Sequence, residues 1–210
     1  MTESEAAVPR NVPDVEATLV KWFKNNARDL PWRSRGTTPW QVLVSEIMLQ
    51  QTPAARVAPE YEAWIHKWPD AQSLSAASPA IVIRQWGKLG YPNRALRLHE
   101  TSRIVTRDYS GELPDTYAEL IALPGIGDYT ANAILGFAFR QRSTVLDTNI
   151  RRVINRVWHG IPSPHPALTK TEREFAERLV PSGHVKAANW NIALMEFGAL
   201  VCTSQKPKCA

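Results

Sequence analysis

Apolar side chains recur along most of this chain at the spacing of an α-helix. Val15, Leu19, Trp22 and Phe23 fall at i, i+4, i+7 and i+8, one stripe on a helix over 15–25. Trp40, Leu43, Val44, Ile47 and Met48 repeat the pattern over 40–51, and Val57, Tyr61, Trp64, Ile65 and Trp68 repeat it again. Further helices are predicted near 79–87, 93–108, 115–122, 128–139, 149–159, 171–179 and 186–199. Prolines fall mostly between these segments, where the missing N–H and the ring clash do least harm. Gly160 suits a helix end. Strand alternation is absent, Val145-Leu146-Asp147 being the only short extended candidate, and 161–170, with three prolines, reads as the longest loop. The fold class is therefore all-α, built from many short helices.

Composition narrows the function classes. A chain of 210 residues with 44% apolar residues can bury a core, which argues against disorder. No apolar run approaches the roughly 18 residues of a membrane span. The acidic start, Met1 to Glu5, has no apolar signal region, so a cytoplasmic location is expected and no membrane partner. The net charge of +5 permits a polyanionic partner without establishing one. The two cysteines, Cys202 and Cys209, are too few for a disulfide scaffold.

One junction carries candidate chemistry. Leu123-Pro124-Gly125-Ile126-Gly127 separates two helical segments. Gly125 and Gly127 leave backbone N–H groups uncovered, and the next helix start adds its own partial positive charge, so the turn can hold a phosphate oxygen. Taken alone, it could equally be a plain turn needing glycine for its backbone angles.

The match is longer than two glycines. Leu-Pro-Gly-Ile-Gly-Asp-Tyr-Thr-Ala resembles the helix-hairpin-helix of DNA repair glycosylases, and Leu146-Asp147-Thr148-Asn149-Ile150-Arg151-Arg152-Val153 follows about twenty residues on. Leu30-Pro31-Trp32-Arg33, Val44-Ser45-Glu46-Ile47-Met48-Leu49-Gln50-Gln51-Thr52, Leu89-Gly90-Tyr91 with Arg94-Ala95, and Leu194-Met195-Glu196-Phe197-Gly198-Ala199 resemble the MutY-type adenine glycosylase branch. The resemblance runs from about residue 15 to the end. It implies two helical lobes: a six-helix lobe over 36–143 ending in the hairpin, and a second lobe combining 1–35 with 144–210. A catalytic cleft is expected between them, with Glu46 on one wall and Asp147 on the other.

Cleaving a purine N-glycosidic bond needs a proton for the leaving base and an anion beside the sugar cation, which are two carboxyl groups in different environments. Glu46 has Val42 and Leu49 beside it and reads either as a desolvated acid or as a solvated glutamate. The resemblance implies that it protonates adenine. Asp147 suits the cap of the next helix, whose N–H groups are expected to keep it ionised. The resemblance adds sugar-cation stabilisation, supported by Asn149. Tyr129 stands where lyase relatives resembling endonuclease III carry a nucleophilic lysine; a phenol forms no Schiff base, so a monofunctional enzyme is expected. Tyr129 could also be a packed aromatic.

Trp32, Arg33 and Glu196 match residues lining the adenine pocket, although Glu196 could be an ion-pair partner and Trp32 core. Gln51 and Tyr91 match residues that probe the opposite strand once the base is extruded; they could instead be a surface amide and a core ring. Here Pro92-Asn93 follow Tyr91, a departure from many relatives that stiffens the loop. Arg84, Arg94, Arg97, Arg103, Arg107, Arg140, Arg142, Arg151, Arg152 and Arg156 read as a solvated basic surface, some of it facing phosphates.

Cys202 and Cys209 form C-x₆-C, which in the family opens a four-cysteine [4Fe–4S] motif. Only two ligands are present, so a chain truncated within that motif is expected, also lacking the family's domain for 8-oxoguanine. The leading expectation is a monomeric bacterial, nucleoid-associated enzyme. It removes adenine mispaired with 8-oxoguanine or guanine in double-stranded DNA. The alternatives are a thymine-mismatch or oxidised-pyrimidine glycosylase, and a non-catalytic DNA-binding fragment.

Overall fold

The computed structural model describes residues 12–208. Eleven α-helices and two short 3-10 turns occur among them, with no strand. None of these helices is long and apolar enough to cross a membrane. The chain divides into two compact units, one of residues 29–139 and one that joins the residues before 29 to those from 140 onward.

In the first unit, helices α2 (Pro39–Leu49), α3 (Ala54–Lys67), α4 (Ala71–Ser75), α5 (Pro79–Trp86), α6 (Asn93–Asp108), α7 (Tyr117–Ala122) and α8 (Asp128–Phe137) surround one apolar core. Trp64 is fully buried there, its ring edge-on to Trp68 at 4.8 Å and to Trp86 at 5.5 Å. Local signals start the helices. Thr38 caps α2 through the Gln41 N–H while the Gln41 side chain accepts from the Thr38 N–H, and Pro39 occupies the first turn. Asp70 and Ser73 make the same reciprocal box for α4.

The second unit holds α1 (Val12–Asn26), α9 (Thr148–His159), α10 (Lys170–Leu179) and α11 (His184–Leu200). Helix α11 packs against both α1 and α9 and is therefore apolar on several sides. Trp22 of α1 lies edge-on to Phe197 of α11 at 5.3 Å. Asp147 caps α9, and Gly160 ends it in the left-handed conformation at φ 64°.

The helical reading differs from the structure at a few places. Residues 115 and 116 precede α7, because Thr116 is its cap and accepts from the Glu119 N–H. Helix α8 stops at Phe137, two residues short of the expected end, and α11 is longer than expected at both ends. Helix α4 was not anticipated. Val145 to Asp147 belong to no strand; this extended stretch leads into the α9 cap.

Candidate active site and nucleic-acid contacts

Glu46 lies in the third turn of α2, on a helix with eight buried residues, and is itself 6% exposed. Its flanks are the fully buried Leu43, Val44 and Met48 and the nearly buried Val42 and Ile47. A solvated glutamate on an exposed helix face is thus excluded: the carboxyl is buried.

Asp147 sits at the α9 N-cap. One carboxylate oxygen accepts from the Ile150 N–H at 2.7 Å, and the other accepts from the Asn149 amide at 2.7 Å. The sequence points to these donors as favouring the ionised form, and burial works against them. Desolvation pushes the Asp147 carboxyl above the ordinary aspartate value, while Ile150, Asn149 and the Arg152 charge pull it back only partly.

Asn149 is fixed in turn. Arg152, one turn along α9, donates to the Asn149 side-chain oxygen at 2.9 Å, to the Gly198 carbonyl at 2.7 Å and to the Cys202 carbonyl at 2.7 Å. Gly198 presses on the same residue. A Cβ there would lie 2.8 Å from the Asn149 Cβ and 2.9 Å from its carbonyl oxygen, so α11 and the first turn of α9 meet at a distance only glycine permits. Gly198→Ala is expected to cost about 1–3 kcal/mol by overpacking. It should displace Asn149 from Asp147 and slow about tenfold any reaction that depends on that carboxylate. Thermal melting and single-turnover rates measured together check this.

The predicted adenine-pocket residues separate into different packing roles. The Trp32 ring stands edge-on to Tyr61 at 5.5 Å, against the core of the first unit, and Arg33 is half-buried beside it in sequence. Glu196 is fully buried. Arg28 donates to it through its backbone N–H at 2.9 Å and through a two-pronged guanidinium contact at 2.8 Å on each oxygen. The structure therefore shows the ion pair weighed for Glu196 from the sequence.

Gln51 and Tyr91 are both exposed and both left-handed, at φ 57° and 47°. Tyr91 is 63% exposed, which excludes a core ring. The loops that carry them are tied: the Thr52 hydroxyl donates to the Leu89 carbonyl at 3.3 Å.

At the hairpin, Gly125 has φ 81°, and a Cβ there would crowd the Arg97 side chain at 3.1 Å. Gly127 is different. Its φ of −97° suits any residue, and a Cβ would meet nothing within 4 Å. Its bareness leaves room for an outside atom to approach the uncapped start of α8. The Thr101 hydroxyl donates to the Pro124 carbonyl at 2.8 Å and anchors the turn on α6. Tyr129, second in α8, is half-buried.

The expectation of a solvated arginine surface fails for four of the ten. Arg94, Arg151, Arg152 and Arg156 are partly or fully buried and point at carbonyls or carboxylates of the chain, while Arg142 is exposed and donates to the Val180 carbonyl. Arg151 pairs with Glu172 at 2.8 Å and also donates to the His165 and Ala167 carbonyls, pinning the proline-rich loop. Arg156 holds the Thr203 and Ser204 carbonyls and reaches the buried Cys202 Sγ at 3.5 Å. The sequence gives no sign of these inward roles beyond the i, i+3 spacing of Asn149 and Arg152.

Cys209 lies outside the described residues. A [4Fe–4S] cluster needs four thiolates, and the chain contains two cysteines. Among the described residues no group of three or more His, Cys, Asp or Glu could hold a metal. These residues do not fit the cluster.

Residues 44–181 match the HhH-GPD superfamily base excision DNA repair protein family. An adenine DNA glycosylase of Mycobacterium tuberculosis is 45% identical over 210 residues, covering 100% of this chain and 68% of that protein. The chain is a MutY-type member of the HhH-GPD superfamily. The human adenine DNA glycosylase is 39% identical over 96% of this chain, which spans 39% of its length. The structure of a thermostable thymine-DNA glycosylase superposes with a TM-score of 0.84 at 32% identity, over 95% of this chain and 91% of that one. Endonuclease III trapped on DNA shares the fold, with a TM-score of 0.80 at 21% identity, over 95% and 90% of the two chains. The helix-hairpin-helix all-α fold expected from the sequence is thus the observed one.

Proposed function

We propose that this chain removes adenine from double-stranded DNA in which the base is mispaired with 8-oxoguanine or guanine, by hydrolysis and without a lyase step. The observation that carries the reading is Glu46, an ionisable carboxyl only 6% exposed on a helix of mostly buried apolar residues. Likeness to adenine DNA glycosylases along the whole chain supports the choice of base.

Glu46 delivers a proton to a ring nitrogen of adenine, which leaves with the electrons of the C1′–N bond. The sugar becomes an oxocarbenium-like cation, and Asp147, oriented by Asn149, stabilises it until water adds at C1′. The products are free adenine and an abasic site. Tyr129 orders polar groups by its hydroxyl and forms no imine. Trp32, Arg33 and Glu196 serve recognition of the extruded adenine, with Arg28 fixing the Glu196 carboxylate. Gln51 and Tyr91 engage the opposite strand. The open backbone at Gly125 and Gly127 takes a phosphate, which sets register without reading sequence. The enzyme works as a monomer in the bacterial cytoplasm, on the nucleoid.

An 8-oxoguanine·adenine duplex, incubated with the protein and split into samples with and without alkali, tests the reading. Strand breakage at adenine only after alkali is expected, with no covalent adduct on borohydride treatment. An efficiently trapped adduct overturns the monofunctional assignment. Release of thymine from a guanine·thymine duplex, with adenine untouched, would move the enzyme to the chemistry named for its structural neighbour.

A further inference from the structure

We propose that Arg94 is a positioning residue that joins the Gln51 and Tyr91 loops into one rigid edge for reading the partner strand. The proposal rests on the reading of Gln51 and Tyr91 given above.

The chemistry of the contact is specific to a guanidinium. Helix α2 ends at Leu49 and leaves its last carbonyls without helical partners, at the negative end of its dipole. One terminal nitrogen of Arg94 donates to the carbonyls of Ile47 at 3.0 Å and Met48 at 3.1 Å, and also to that of Gln50. Its other terminal nitrogen donates across to the Leu89 carbonyl at 2.9 Å, the Gly90 carbonyl at 3.1 Å and the Thr52 hydroxyl at 3.1 Å. One planar group thus holds the residues on both sides of Gln51 and the two just before Tyr91. It also lies 5.3 Å from the Trp86 ring centre and 5.5 Å from that of Tyr91. Trp86 adds a further tie by donating to the Gly90 carbonyl at 2.9 Å.

What the clamp holds is otherwise unfavourable. Gln51 and Tyr91 both occupy the left-handed region that side chains other than glycine rarely adopt, and both project into solvent. Two such residues on loops fastened by one half-buried group form a surface prepared for an outside contact, and an exposed tyrosine ring suits a base stack. A lysine in place of Arg94 has one nitrogen and cannot span both loops.

The test is equilibrium binding to two duplexes, one with 2′-fluoroadenosine opposite 8-oxoguanine and one fully paired. The fluorine withdraws electrons from the sugar and suppresses cleavage. Arg94→Lys is expected to lower the ratio of mismatched to paired affinity about tenfold, and Gln51→Ala/Tyr91→Ala to do the same. Combining all three should cost no more than the loop pair alone, since the arginine acts through those residues. Thr52→Ala should lower the ratio to a lesser degree, and amide exchange should quicken at 50–52 and 89–91 in Arg94→Lys. Arg107→Lys, an exposed arginine paired with Asp108, should leave the ratio unchanged. If Arg94→Lys costs as much on the loop-pair background as on the parent, or leaves the ratio intact while the loop pair lowers it, the positioning role is overturned. If the loop pair itself has no effect, the reading of Gln51 and Tyr91 has failed and the proposal goes with it.

Discussion

Glu46→Gln is expected to slow adenine excision by about 10²- to 10⁴-fold while duplex binding stays within a few-fold. The amide has nearly the shape of the carboxyl but no proton to give. Departure of an unprotonated purine anion is the difficult event, so loss of the acid falls on the chemical step. Single-turnover excision at saturating enzyme isolates that step. The fold should tolerate the exchange within about 1 kcal/mol, because volume and polarity are retained at the buried position. A variant that excises at the parental rate would remove Glu46 from the mechanism. One that binds no DNA would place the residue in substrate capture instead.

Asp147→Asn is expected to separate stability from activity. Asparagine caps a helix as well as aspartate, so the α9 start survives. Burial raises the carboxyl's folded-state value above its unfolded one. Such an acid binds its proton more tightly in the folded state. Its contribution to stability therefore declines as pH rises from the unfolded value through the raised folded value, and above that window the cost of the buried charge is fully present. Removing the charge should leave Asp147→Asn at neutral pH with a melting temperature equal to or above the parent's, and the advantage should vanish in acid. Excision should fall by about 10³-fold, because the cation formed at the sugar loses its anion. The same upward direction is expected to move the acid limb of parental activity to higher pH. Melting curves and single-turnover rates across pH check both halves. A less stable but fully active variant would reduce Asp147 to a cap.

Much of this was legible in the chain because its signals are local. Helix α6 matches the predicted 93–108 because a long stripe is bounded by Pro92 at one end and a turn at the other. Helix α4 escaped because five residues are too few to show a 3.6-residue period; its Asp70 and Ser73 box was the available signal. The caps at Asp147 and Gly160 were legible for the same local reason. The partners of the arginines were not. Arg152 meets Gly198 and Cys202, and Arg94 meets the end of α2, across separations of more than forty residues. The upward pull of burial on Asp147 was hidden on similar grounds, since capping is read from neighbours and desolvation from everything folded around them.

The division of the chain has a consequence for biosynthesis. Residues 29–139 form one uninterrupted unit, so its core can close while the ribosome is still adding residues. Helix α1 belongs to the other unit and packs on α11, which emerges more than 150 residues later. Leu19 and Trp22 therefore leave the exit tunnel long before Leu194 and Phe197 exist to cover them. Throughout that interval the α1 stripe lacks the α11 surface that it packs against in the folded unit.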